Sequence, residues 1–364
     1  MSKRLVSLDV LRGLTIAGMI LVNDPGSWEY VYAPLLHAEW HGCTPTDLVF
    51  PFFLFMVGVA ISIALGKRIA TGADTKALAF KIIKRSAIIF LIGLLLSGFP
   101  SYDLSSIRIP GVLQRIALVY LFCSLIFINT TWIGQLRWAV SLLVVYWFLM
   151  NFIPVPGVGA PNLDPTTNLG AWLDNLLLHG HLWSQTKVWD PEGILGTIPA
   201  ISTGLSGILV GHLLKSNLTE ERKVIWLFIA GAISIVLALL WDLSFPINKP
   251  LWTSSYVLYT SGIAMQCLAV CYWFIDVLEY KKWTTPWVAF GVNALSAYVL
   301  SGLLARLLGI IKIGDQSLKG WIFDHFFISW MDPYTASLAF AIVFVLCLFI
   351  PSWLLYKRGI IIKV

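Results

Sequence analysis

The sequence predicts an all-α, polytopic membrane protein: a helical bundle of about ten transmembrane helices with both termini in the cytoplasm. Three observations carry that prediction. Of 364 residues, 58% are hydrophobic and only 12% charged, with a mean hydropathy of +0.81, whereas soluble domains carry roughly 25% charged residues. Apolar runs close to the ~20 residues that a bilayer core demands recur along the whole chain. Most of the 25 Lys and Arg fall between alternate runs, on one side.

The ten runs are Leu5–Val22, Thr46–Leu65, Phe80–Phe99, Val112–Ile128, Trp138–Phe152, Gly193–Leu214, Val224–Leu240, Ser254–Val277, Pro286–Leu308 and Thr335–Tyr356. Lys3 and Arg4 before the first run resemble a secretory signal. That run contains Asp9 and Arg12 and has no small-x-small cleavage site, so it reads as a retained helix. With the N-terminus inside, the inner side holds Lys3, Arg4, Arg12, Lys67, Arg68, Lys76, Lys81, Lys84, Arg85, Arg137, Lys215, Arg222, Lys223, Lys281, Lys282, Lys357, Arg358 and Lys363. This is the positive-inside pattern. Residues 153–192 then form a long outer loop. It opens with Pro154, Pro156, Pro161 and Pro165, and continues with Leu169, Trp172, Leu173, Leu176 and Leu177 at helical spacing. That stripe predicts a helix lying on the outer surface. Residues 309–334 form a second long outer loop. The 17 Trp and 12 Tyr suit interfacial belts.

Composition also excludes. The net charge of +6 marks inner loops rather than one basic face, so nucleic acid is not a partner. Four of the five cysteines, Cys123, Cys267, Cys271 and Cys347, lie inside apolar runs, and only Cys43 is in a loop. Neither a disulfide framework nor a metal-ligand spacing is present. His37-x-Glu39-x-His41 differs from the zincin order, because Glu39 points away from both histidines on a helix. No repeat or linker divides the chain, so residues 1–364 read as one transmembrane domain.

The polar residues inside this apolar chain need a reason. Asp9 and Arg12 share a helix face, and Arg12 lies roughly 10 Å in from the helix start at 1.5 Å per residue. They read either as a structural ion pair or as a phosphate-binding guanidinium near the cytoplasmic mouth. Asn23, in Asn23-Asp24-Pro25-Gly26, reads on its own as a helix end. The loop from Asn23 to Thr46 has no Lys or Arg, yet it holds His37 and His41. General-base work needs one histidine oriented by a partner, and Asp47 is placed to supply it. Gln114 and Arg115 open the fourth run, and Glu192 opens the sixth as a prospective partner of Arg115. Asn248, Lys249 and Trp252 mark a polar outer turn, and Asn293 sits inside an apolar run.

Several motifs occur together and in order: Asp9-x-x-Arg12-Gly13, Val22-Asn23, His37-Ala38-x-Trp40-x-Gly42-x-Thr44 and Asp47-Leu48-Val49-Phe50-Pro51. Arg108-Ile109-Pro110-Gly111-Val112-Leu113-Gln114-Arg115, Asp190-Pro191-Glu192-Gly193-Ile194-Leu195-Gly196-Thr197 and Asn248-Lys249-x-Leu251-Trp252 follow. Together they resemble the heparan-alpha-glucosaminide N-acetyltransferase family and its bacterial relatives, over nearly the whole chain. The resemblance implies an acyl-CoA-dependent N-acetyltransferase in a bacterial inner membrane. It would move an acetyl group from cytoplasmic acetyl-CoA, a co-substrate, to the amine of a glucosamine-like sugar outside. No metal is implied, and the reading leaves room for a homodimer. Compared with the animal enzyme, the chain is expected to lack the large luminal N-terminal region, which leaves the acceptor open: a free amino sugar or a cell-wall fragment.

In that reading His37, Asn23 and Asp47 are catalytic. His37 is either a base or an acetyl-accepting nucleophile, and Asn23 holds the thioester carbonyl. Arg12, Asp9, Lys84, Arg85 and Lys281 would meet the CoA phosphates. Trp40, Arg115, Gln114, Glu192, Asn248, Lys249 and Trp252 would meet the sugar. The rival reading is a proton-coupled amino-sugar transporter, which would place its polar groups near mid-membrane.

Overall fold

The computed structural model describes residues 5–362; Lys3, Arg4 and Lys363, counted above among the inner charges, lie outside them. Thirteen α-helices make up the described chain: α1 (Val6–Asn23), α2 (Val49–Ala70), α3 (Thr75–Gly98), α4 (Val112–Asn129), α5 (Trp132–Phe152), α6 (Leu169–Leu178), α7 (Thr197–Lys215), α8 (Glu220–Asp242), α9 (Ser254–Tyr272), α10 (Thr285–Val292), α11 (Ala294–Ile310), α12 (Leu318–Phe323) and α13 (Pro333–Lys357). Two-residue strands, β1 (Lys312–Ile313) and β2 (Gln316–Ser317), pair antiparallel.

Among the described residues, eight helices are long and apolar enough to cross a membrane, and the bent pair α10–α11 makes nine. The tenth expected span is α3, 24 residues long. Lys81, Lys84 and Arg85 sit in its first half and leave a shorter apolar stretch. The ninth expected run is broken rather than straight, with a 79° bend between α10 and α11. Asn293 sits at the break. Its Nδ2 donates to the Ile360 carbonyl (3.0 Å), and its Oδ1 accepts from the Ile362 N–H (2.9 Å). In an apolar surround, backbone at a helix break must find partners inside the protein. The helix read from the leucine stripe is α6, capped by the Asn168 side chain accepting from Ala171 N–H at 2.9 Å.

The chain forms two compact units. The first takes residues up to Ala38, Thr44–Phe53 and the stretch from Val270 onward. In it α1 packs on α10 and α13. Gly13 and Gly291 let the backbones of α1 and α10 meet: a Cβ at either would lie 1.9 Å from a carbonyl oxygen, of Trp287 or Asp9. Val10, Ile275 and Val288 fill the core beside this crossing. Asp276, in a π-helical turn after α9, accepts from the N–H groups of Val6 and Ser7 at 3.3 and 3.0 Å. A carboxylate so satisfies two of the orphan donors that begin α1.

The second unit takes Glu39–Cys43 and Leu54–Ala269. Here α4 packs against α3 and α7, and α7 against α5. Buried hydroxyls donate across helices: Ser86 to Ala117 O at 2.8 Å, Ser202 to Ala139 O at 2.9 Å, and Ser254 to Leu143 O at 2.8 Å. At one end Tyr146, Met150, Val155, Leu169, Leu195, Phe245 and Leu251 form a core that α6 covers. The tightest approach is between α2 and α7, where a Cβ on Gly207 would lie 1.9 Å from the Phe55 carbonyl oxygen.

Gly207→Val should therefore force these two backbones apart and cost about 1–3 kcal/mol. Gly18→Ala, with nothing within 4 Å of the added carbon, is the control. Thermal unfolding in detergent followed by tryptophan fluorescence should show a lower Tm for the first alone; equal midpoints for both would refute this account of the crossing.

Candidate active site

Local sequence builds the His37 loop. Pro45 starts a 3-10 turn, Pro45–Leu48, and Thr44 and Asp47 cap it reciprocally. Asp47 is 1% exposed, and donors converge on its carboxylate. His37 Nδ1 lies 2.6 Å from Oδ1. The N–H groups of Ala38 and Thr44 donate to Oδ2 at 3.1 and 3.0 Å. The Thr44 hydroxyl lies 3.0 Å from Oδ2 and 2.7 Å from the Leu36 carbonyl, so its one proton serves either. The Asp47 carboxylate can only accept, so in a neutral ring this contact favours the Nδ1–H tautomer. The His37 ring is 45% exposed. A buried, saturated carboxylate thus orients an accessible imidazole, the arrangement of a general base or a nucleophile.

In the same unit, exposed Asn23 ends α1 and half-buried Asp24 follows it. Burial pushes the Asp24 carboxyl up to about 7, with the charge of Lys319 pulling the other way. Burial likewise lowers the Lys319 ammonium, opposed by Asp24. Nearer the start of α1, Arg12 donates to Asp9 Oδ1 at 2.6 Å, with both side chains largely buried. The ion-pair half of the reading of these two residues is thus realised in the geometry.

In the second unit, Asn248 is fully buried and tied in several directions. Its Nδ2 donates to the Trp40 carbonyl at 2.8 Å and lies 3.3 Å from His41 Nδ1. Its Oδ1 accepts from Leu251 N–H at 2.8 Å. Gly42 N–H donates to Ile247 O at 2.7 Å. Trp40 donates its indole N–H to Leu163 O at 2.9 Å and meets Trp189 edge-on at 5.2 Å. Asn248 therefore fastens the Trp40–Gly42 segment, and His41 sits in that clamp.

Glu192 does not pair with Arg115, as the sequence had suggested; it pairs with Arg108 at 2.5 Å. Arg108 also grips Asp190 in a two-point fork, at 2.8 and 2.6 Å. Burial would lower the Arg108 guanidinium, but hydrogen bonds and charges of these two carboxylates outweigh it and raise its pKa. Arg115 is 1% exposed and donates instead to the carbonyls of Pro191 and Gly193, each at 2.9 Å, beneath the Trp252 ring at 5.1 Å. Carbonyls at the loop before α7 serve it as acceptors because the two acidic side chains there are already engaged. Its Nε has no partner among the described residues. Arg115, Tyr146, Asn168, Asp174 and Trp189 line a small cavity of about 300 Å³, counted out to its open mouth.

With these groups in place, comparison with known proteins is decisive. The sequence model described as "Heparan-alpha-glucosaminide N-acetyltransferase, catalytic" matches residues 4–248. The chain belongs to that family. It is 31% identical over 355 residues to the heparan-alpha-glucosaminide N-acetyltransferase of Mus musculus, covering 82% of this chain and 53% of the mouse protein. For the Homo sapiens protein of the same name the identity is 32% over 355 residues, covering 81% and 52%. The chain thus spans about half the length of the curated relatives it matches. In this member of the heparan-alpha-glucosaminide N-acetyltransferase family, the matched stretch includes Asn23, His37, Asp47 and Arg115 and ends at Asn248. Lys249, Trp252 and Lys281 lie beyond it.

The other expected site residues have local surroundings of their own. Lys84 and Arg85 are exposed on α3, with Arg85 over the Tyr120 ring at 4.9 Å. Lys281 is 3.4 Å from Glu279. Gln114 is buried, its amide against Gly93 and Gly111. Lys249 is half-buried in the turn after α8. Trp252 is buried in a left-handed conformation (φ 56°), its indole N–H on Thr203 Oγ1 at 3.1 Å. Sequence reasoning missed Asp174. Its partner, the Ile194 N–H at 2.8 Å, lies twenty residues away, so no local pattern marks it. It also missed Asp24, which read as part of a helix end.

Burial pushes Asp174 up to about 6, partly offset by the Ile194 hydrogen bond, from an ordinary value of about 3.9. The native state holds this proton over a pH range where the unfolded chain has released it. The group's favourable contribution is therefore full below about pH 4 and lost as pH rises through about 6. Asp174→Asn should gain in Tm relative to the parent on going from pH 5 to pH 7.5; a Tm difference that does not change with pH would refute the assignment.

Proposed function

We propose that this chain is a transmembrane N-acetyltransferase of a bacterial cytoplasmic membrane. It takes the acetyl group of cytoplasmic acetyl-CoA and delivers it to the amine of a glucosamine-like sugar at the outer face. Family membership supports the reaction class, and the His37–Asp47 pair supports the chemistry. The carrying observation is the 2.6 Å contact between His37 Nδ1 and a carboxylate that other donors already hold in place.

The amine attacks the thioester carbonyl, and His37 Nε2 takes a proton from the attacking nitrogen as the C–N bond forms. It returns that proton to the departing CoA thiolate. Asp47 holds the tautomer and stabilises the imidazolium. Asn23 donates a hydrogen bond to the carbonyl oxygen as it gains charge, a contribution of roughly 3–4 kcal/mol. Arg12, Lys84, Arg85 and Lys281 are the candidates for the CoA phosphates, as guanidinium and ammonium groups suit them. The aromatic rings of Trp40 and Trp189 offer an apolar face to a sugar.

The broken span at Asn293 is the feature a transporter reading would use. Its amide, however, is spent on the backbone of residues 360–362 at both ends, which favours a structural use of the break.

The full chain in detergent, given labelled acetyl-CoA and glucosamine, should yield N-acetylated sugar. His37→Ala should lower turnover by roughly 10²–10⁴-fold, and Asp47→Asn should lower it with little change in KM for acetyl-CoA. A folded His37→Ala protein with full turnover would sink the assignment. Label retained on protein without acceptor would make His37 the nucleophile instead of the base.

A further inference from the structure

Acetylating an amine releases two protons from one nitrogen. Near neutral pH an amino sugar arrives as an ammonium, and one proton must leave before the lone pair can attack. The second leaves after the C–N bond forms. Resting on the acetyltransferase reading, the His37–Asp47 pair accounts for the second proton. The same unit holds another acceptor.

Asp24 follows Asn23 directly. Its carboxylate is half-buried, and among the described residues it has neither a hydrogen bond nor a closed ion pair. The loop that carries it is pinned. Gly26 N–H donates to Ser337 O at 3.2 Å, and Ser27 N–H to Ser337 Oγ at 3.1 Å. Gly26 packs so closely that a Cβ would lie 2.6 Å from the Phe323 ring. Lys319 of α12 is the charge acting on Asp24, its ammonium held 5.7 Å above the Phe340 ring. Glu29, five residues on in the same loop, is exposed, and four other titratable groups have partners of their own. Asp332 caps α13 through Thr335 N–H, Asp324 accepts from Gln316, His325 bonds the Trp321 carbonyl, and His37 bonds Asp47.

A half-buried carboxylate without donors calls for a ligand that supplies them. We propose that Asp24 binds the ammonium of the acceptor amino sugar and takes its first proton. The N–H bond of the ammonium breaks, an O–H bond forms on the Asp24 carboxyl, and both charges vanish together. The neutral amine then attacks beside Asn23, and the proton on Asp24 returns to solvent when product leaves. Burial has already tuned the group to about 7 against the pull of Lys319, the range in which a carboxyl exchanges protons at neutral pH.

The test compares wild type, Asp24→Asn and Lys319→Met in glucosamine acetylation across pH. Asp24→Asn should lose up to roughly tenfold in kcat/KM for glucosamine near pH 7, where an amine of ordinary α-amino pKa is only about one-tenth free, with KM for acetyl-CoA unmoved. The loss should shrink by about pH 9, above the ordinary α-amino range, where free amine is supplied by solvent. Lys319→Met should move the acid limb of the profile to higher pH. An Asp24→Asn loss equal at every pH, or none, overturns the proposal. If Asp24→Asn does not fold, an unmoved acid limb in Lys319→Met overturns it alone. A wild-type protein without any acetyl transfer would instead overturn the acetyltransferase reading on which it rests.

Discussion

Asp47 has two carboxylate oxygens, and an imidazole, two backbone N–H groups and a hydroxyl surround them. Burying a carboxylate at the mouth of an apolar helix is costly unless its lone pairs are filled, and here the filling residues are the catalytic candidate and the loop that carries it. The loop is therefore held by the same charge that orients His37. Neither the 3-10 turn at Pro45, nor the path from Leu36 to Thr44, nor the tautomer of the ring is independent of that one side chain. A buried carboxylate beneath a partly exposed ring also fixes which edge of the imidazole faces inward, which gives the loop a direction as well as a shape.

The turn before α7 in the second unit follows a different logic. Arg108 meets side-chain carboxylates, whereas Arg115 meets main-chain carbonyls, and both reach the Asp190–Gly193 turn. The planar, multi-donor guanidinium suits both tasks. Between them the turn before α7 is held from two sides, and Asn248 does the same for the Trp40–Gly42 segment. Residues that resemble sugar contacts in a motif thus also act as fasteners of loops. In the function proposed above, a sugar would meet surfaces that these fasteners shape, such as the Trp40 and Trp189 rings.

Hydropathy made the spanning helices legible, because burial in lipid acts on every residue of a run. The α6 stripe was legible for the same reason at shorter length: Leu169, Trp172 and Leu173 pack on one core. The His37–Asp47 pairing was legible because ten residues and a Pro turn separate the two. What failed to show were contacts between distant segments. Asp276 serves the start of α1 from about 270 residues away, and Glu192 chose Arg108 over Arg115 through a geometry that no spacing encodes. The Asn293 break was visible as a polar residue in an apolar run, but its bend depends on partners near residue 360.

That dependence has a consequence for assembly. The amide of Asn293 bonds backbone groups 67 and 69 positions later in the chain. While the ribosome is still making α13, those groups do not exist, so α10 and α11 enter the bilayer with the amide of their joint unmatched. The elbow closes only when the segment beyond α13 has been synthesised and has folded back onto it. The segment beyond α13 thus acts as a stitch, and the joint of α10 and α11 takes its final form only once that segment is present.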